Sequence, residues 1–243
     1  MLYCRPSFSG SASVIFMLEF GEEIPFLWRL SEENGEGFSL VSMVIPFQSG
    51  SQNLEHTIQT NVVSFCSDHE KHAEEETLEW NEEDIQLFLK LLAVRNGADL
   101  NQVPAVTTQT FKVDLSDPGT IEIVNIVAAA GFGMTLTVED LLVADPGDLH
   151  EEVKEPEVGL PVTIHTVDGY KRCIIVGVDE QEVACVLLDS IKLSGEAIAF
   201  QGADLKLDDY ADIHTHDVVL VKPHQLLHAR YSSLAPAASD TLH

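Results

Sequence analysis

The sequence predicts a β-rich α+β protein in two parts, and three observations carry that prediction. Short runs of β-branched and aromatic residues, separated by Gly-, Glu- or Asp-rich turns, recur along the chain. One strongly apolar helical stretch stands among them, near 82–95. A charged segment bearing a proline, His150 to Pro156, then divides a β-rich α+β domain over 1–149 from a small antiparallel β-domain over 157–230. The second domain is expected to be a small antiparallel sheet or a partly closed SH3-like barrel, and 231–243 is small and polar, as a frayed tail would be.

Taken in order, Ser13 to Phe20, Phe26 to Leu30 and Phe38 to Phe47 read as strands, and His56 to Cys66 continues the pattern. Asp68 to Asp84 packs nine acidic residues and one lysine into seventeen positions, which predicts a solvated helix or loop. Asn81 then offers an N-cap with Asp84 three residues on, where a capping box places its acceptor, and Gly97 follows the last periodic residue. Between them Ile85, Phe88, Leu89 and Leu92 mark one helix face while Leu87, Leu91 and Val94 fill its flank, so the second half of the helix is expected to be buried on most sides. Ala105 to Leu115 alternates into a strand. Asp117-Pro118-Gly119 serves either a turn or a capped helix start, so Ile121 to Ala130 (IEIVNIVAAA) is equally a strand or a helix at this stage. Thr137 is expected to cap a short helix through Leu142.

The C-terminal part reads most clearly. Pro161 to Val167 and Tyr170 to Val178 flank Asp168-Gly169, which predicts a hairpin on a two-residue loop. That loop pairs Val167 with Tyr170, Ile164 with Cys173 and Val162 with Ile175, putting four apolar side chains on one face. Val183 to Leu188 is uninterruptedly apolar, as a strand covered on both sides would be. Gly195 to Leu207 and Asp212 to Val221 are further expected strands, and Pro223 starts a short helical segment.

Charge narrows the partners. Forty acidic against thirteen basic residues give a formal net charge of -27, which repels phosphate backbones and anionic lipid, so neither nucleic acid nor membrane is expected as a partner. Four cysteines without paired spacing predict no disulfide framework, and the chain shows neither a signal-peptide pattern nor an eighteen-residue apolar run, so a cytoplasmic location is expected. Met17 offers an alternative start.

Two segments resemble parts of known families, each over less than a quarter of the chain. Met134 to Leu188, with MTLTVEDLL, DPGDL and VDGYKRCIIVGVDEQEVACVLL, resembles the small β-domain of flagellar and type III secretion C-ring proteins, but it lacks their Glu-Leu-Gly strand and carries some fifty trailing residues. Phe16 to Pro46, around PFLWRLS, is similar to a stretch of the flagellar assembly factor that binds a post-transcriptional regulator, although the rest of that pattern does not follow. Both resemblances imply assembly or regulation without catalysis.

No phosphate-cradling Gly loop or nucleophile elbow occurs, and carboxylates are too plentiful for any pair to single itself out as acid and base. Histidine is the one class with suggestive spacing. His214 and His216 would leave the same face of a strand, and His224 and His228 lie one helical turn apart, so the four, with Asp212 or Asp217, would suit a divalent metal. Cys66, His69 and His72 form a second, softer set. The leading expectation is a non-catalytic assembly component, adaptor or regulator with no cofactor. It would dock a basic protein on Asp68, Glu70, Glu74, Glu75, Glu76, Glu79, Glu82 and Glu83, with sheet edges as a second contact surface. The alternative is a metal-binding protein or metal-dependent enzyme built on the C-terminal histidines.

Overall fold

The computed structural model describes residues 15–19, 26–32, 37–49, 51–65, 75–96, 110–138, 142, 153–192 and 212–234. The chain divides into two compact units, 1–134 and 135–243. The first contains, in order, β1 (Ile15–Glu19), β2 (Leu27–Leu30), β3 (Phe38–Ser49), β4 (Gln52–Phe65), β5 (Glu76–Glu79), α1 (Glu82–Arg95), β6 (Thr110–Asp114) and α2 (Pro118–Phe132). Antiparallel pairing joins β1 to β6, and a four-stranded antiparallel sheet runs in the order β4-β3-β2-β5.

Where it is described, the acidic run is first a strand and then a helix, with Glu82, Glu83 and Asp84 forming the first turn of α1. Its residues 76–79 are β5, and 68–74 lie outside the described residues. Leu78 falls opposite Trp28 of β2, and just beyond the strand the buried Trp80 donates its amide to the Phe26 carbonyl at 3.1 Å. Behind it both tryptophans stack, Trp28 on Trp80 at 4.7 Å between ring centroids. Phe26 and Phe88 meet Trp80 edge-on at 5.0 and 5.4 Å, and Phe132 meets Trp28 at 5.6 Å. Edge-to-face and offset contacts of this kind suit the ring quadrupoles and add to the area the rings bury.

Both helices begin as their caps dictate. Asn81 Oδ1 accepts from the Asp84 amide at 2.8 Å while Asp84 Oδ2 accepts from the Asn81 amide at 3.1 Å, a complete capping box. Asp117 accepts from the Thr120 amide at 2.9 Å with Pro118 in the first turn, and α2 follows despite its β-branched residues. Propensity loses here because Ile123, Val124, Asn125, Ile126, Val127, Ala128 and Ala129 are all buried, and packing outweighs a few tenths of a kcal/mol per residue. The Arg95 guanidinium, in the last turn of α1, pairs with Asp117 and lies over Gly119, where any Cβ would meet it at 2.5 Å. One cation thereby serves the C-terminus of one helix and the cap of the next.

The second unit contains β7 (Thr135–Thr137), β8 (Pro161–Thr166), β9 (Gly169–Val178), β10 (Val183–Leu187), β11 (Ile191–Lys192), β12 (Asp212–Ile213), β13 (Val218–Val221), a 3-10 turn (Pro223–Gln225), β14 (Leu227–His228) and a 3-10 segment (Ala229–Leu234). Six strands share one sheet in the order β14-β8-β9-β10-β13-β7, with β11 and β12 paired separately, and no closed barrel is formed among the described residues. The division between the two compact units falls after Met134. Thr135–Thr137 joins the second sheet as a parallel partner of β13, whereas the strand pairings within 157–230 are antiparallel. The helix expected from Thr137 to Leu142 is not seen at its described ends: Thr137 closes β7 and Leu142 bridges to Thr166. The strand expected at 195–207 lies outside the described residues.

The hairpin is present with its register moved by two. Thr166 pairs with Gly169, Ile164 with Lys171 and Val162 with Cys173. Among the loop residues only Gly169 takes positive φ, at 88°, because a β-branched residue such as Val167 would be strained there. Thr166 Oγ1 accepts from the Asp168 amide at 3.2 Å and donates to the Gly169 carbonyl at 2.8 Å, fixing a two-residue loop of Val167 and Asp168, one residue earlier than expected. An even shift leaves every side chain on its own face. Val162, Ile164, Cys173 and Ile175 accordingly remain the core, with Val183, Cys185, Leu187, Val219 and Leu226.

Candidate functional site

The expected docking residues that can be placed follow one another along β5 and into the first turn of α1. Glu75, Glu79, Glu82 and Glu83 are exposed and Glu76 is half-buried, while Asp68, Glu70 and Glu74 lie outside the described residues. Continuity in sequence gives continuity in space, because β5 leads through Trp80 and Asn81 directly into the helix. The two indole and phenyl layers beneath hold this segment against the sheet.

Its charges are not equivalent. Glu75 pairs with the Arg29 guanidinium at 2.9 Å, and Arg29 makes a two-pronged contact with Glu55, both bonds at 2.8 Å. The hydrogen bonds from Arg29 hold the Glu55 carboxyl below its ordinary value. Glu82 accepts from Gln86 at 3.0 Å along the helix surface, and acidic residues in a first turn also complement the helix dipole. Glu79 and Glu83 project into solvent. Such a ridge can attract a cation at long range and orient a basic surface, but it holds no paired base and nucleophile.

Asp84, the last residue of the acidic run, turns inward. Its residue is 8 % exposed, and Oδ2 accepts from Trp28 Nε1 at 3.1 Å as well as from the Asn81 amide. Burial pushes its carboxyl above the ordinary value, against the two hydrogen bonds that favour the charged form. The capping-box spacing was the sequence signal for this role, and composition alone hid it within the solvated run.

The C-terminal histidines do not share a face. The expected strand Asp212 to Val221 is broken by a turn in which His214 is exposed and His216 is buried at φ 75°. Asp217 Oδ2 accepts from the His214 amide at 2.7 Å, and the His216 amide donates to the Leu187 carbonyl at 2.8 Å, so the turn is pinned to the end of β10. Burial pushes the Asp217 carboxyl up. His224 is exposed in the 3-10 turn, and His228 is exposed on β14, with three strands between it and β13 in the sheet order. Among the described residues no group of three or more His, Cys, Asp or Glu is placed to hold a metal ion. Cys66, His69 and His72 lie outside them.

Cys173 and Cys185 are fully buried free thiols on neighbouring strands, Cys173 opposite Leu187 and Cys185 opposite Ile175. Burial pushes Cys185 up to about 12 and Cys173 up as well, so neither is a nucleophile at neutral pH. No helix among the described residues is long and apolar enough to cross a membrane. No protein-family model matches the chain and no curated protein matches it, so neither resemblance of its segments is extended by such a match.

Proposed function

We propose that this chain is a non-catalytic protein-binding protein of the cytoplasm, an assembly component, adaptor or regulator, that docks a basic protein partner on the acid ridge of β5 and α1. One observation carries the reading: Glu75, Glu79, Glu82 and Glu83 are all exposed within one short strand-to-helix segment of a chain with a net charge of -27. Asp68, Glu70 and Glu74 extend the same run in sequence. Long-range attraction guides the encounter and is weakened by salt, because exposed charges are screened within about 10 Å at 0.1 M ionic strength.

The second unit is a scaffold in this reading. Its meander β8-β9-β10-β13, followed by a 3-10 turn and a fifth strand that returns to pair with β8, supports a partly closed SH3-like barrel. Fold alone assigns it no ligand.

The test is capture of the partner from a lysate by the purified chain, followed by titration of the captured protein. Affinity is expected to fall as salt rises, and to fall again when Glu75, Glu79, Glu82 and Glu83 are changed together to Gln. A partner bound equally well at low and high ionic strength removes the electrostatic mechanism.

A further inference from the structure

We infer that the outer edge of β4 is a self-association surface, on which a second copy of this chain adds its own β4 antiparallel across a two-fold axis. The strand is terminal in its sheet. From Gln52 to Gln59 it runs in unbroken register with Ser49 to Ser42 of β3, and the only irregularity lies beyond, between Leu40 and Ser42. Gln52, Asn53, Leu54, Glu55, Thr57 and Gln59 are exposed, and no other strand pairs with this edge among the described residues. The edge is covered further along, where the Asn61 amide donates to Asn125 Oδ1 of α2 at 2.8 Å. A straight row of unpaired backbone groups is a template for another strand, and Gln52 to Gln59 has none of the usual protection by lysine, proline or a bulge.

Charge identifies the occupant. Over the whole β3–β4 hairpin, residues 38–65, there is no Lys or Arg and Glu55 is the single acidic residue. Arg29 neutralises Glu55 through two hydrogen bonds. Two polyanions of -27 repel wherever their carboxylates face each other, so a surface emptied of charge is where two copies can approach. The same surface offers a basic partner nothing to pair with, which separates it from the ridge on β5. Apolar area is available beside the edge: Leu54, opposite Phe47, is 42 % exposed. A two-fold pairing presents the same strand from both sides and closes on itself without growing into a filament.

The full chain, measured by light scattering after size exclusion at about 100 µM, is expected to run at twice the chain mass. Thr57→Lys with Gln59→Lys gives the edge the lysine protection it lacks and is expected to return it to a single chain mass with an unchanged circular dichroism spectrum. Glu79→Lys, on the opposite edge of the sheet, is expected to leave the dimer intact. Hydrogen exchange of amides 52–59 in the unaltered chain is an independent readout, expected to slow as concentration rises. A monomer at that concentration, a dimer indifferent to the two lysines, or a dimer lost through Glu79→Lys alone overturns the inference. So does exchange at 52–59 that ignores concentration.

Discussion

The two edges of the four-stranded sheet are built on opposite principles. β5 is four residues long, half of them glutamate, and it leads into a helix whose first turn is acidic. β4 is fourteen residues long, carries one carboxylate, and has that carboxylate tied to Arg29. A short charged edge refuses another strand and advertises itself to cations, whereas a long neutral edge does the reverse. In the proposed reading the molecule separates a surface for unlike proteins from a surface for like ones, using only where glutamate is placed and where it is left out.

The comparison is broken most completely from the middle. Trp28 is 2 % exposed on β2, stacks on Trp80 and lies opposite Leu78 of β5. Trp28→Ala is expected to cost about 3–5 kcal/mol in denaturant unfolding. Amide exchange should quicken on β5 before β4, because β4 is held by the long pairing with β3 and by α2. Equal loosening of both edges would mean that the aromatic layer is not what holds the acid ridge in place.

A smaller effect is expected at Asp84. Asp84→Ala leaves Trp28 Nε1 and the Asn81 amide without their acceptor, at about 1–3 kcal/mol. Asp84→Asn keeps an acceptor and removes the charge. Because burial raises the folded-state pKa of Asp84, its contribution to stability is complete below the ordinary carboxyl value and is lost as pH rises through the raised one. The Asn variant should therefore lose less stability than the native chain as pH rises above the ordinary carboxyl value of about 4. Parallel pH profiles for the two would show that the buried carboxylate carries no such penalty.

The smallest effects belong to the edges themselves. Thr57, Gln59 and Glu79 are exposed, so lysine at any of them should change monomer stability by no more than about 0.5 kcal/mol. A loss several times larger on β4 would mean that its side chains pack against something and that the edge is not open.

Much of this was legible from local chemistry. The Asn81 and Asp84 spacing, the Asp117-Pro118 start and the glycine at 169 each satisfy a backbone requirement within a few residues, and each fixes a turn or a helix start. The alternation of Val162, Ile164, Cys173 and Ile175 likewise sorted core from surface, and survived a register shift because that shift was even. The acid ridge could be read as a run of charge, but not as a strand.

What the sequence by itself determined about this protein is therefore its caps, turns, apolar faces and excess of negative charge, all of which depend on neighbours along the chain. The tertiary structure decided the helical state of Ile121 to Ala130, the recruitment of 76–79 to a sheet, the inward turn of Asp84, the break at His214 to Asp217 and the order of the strands. Each of these turns on burial against residues distant in sequence. Packing energy there outweighs propensity, and no local window contains both partners.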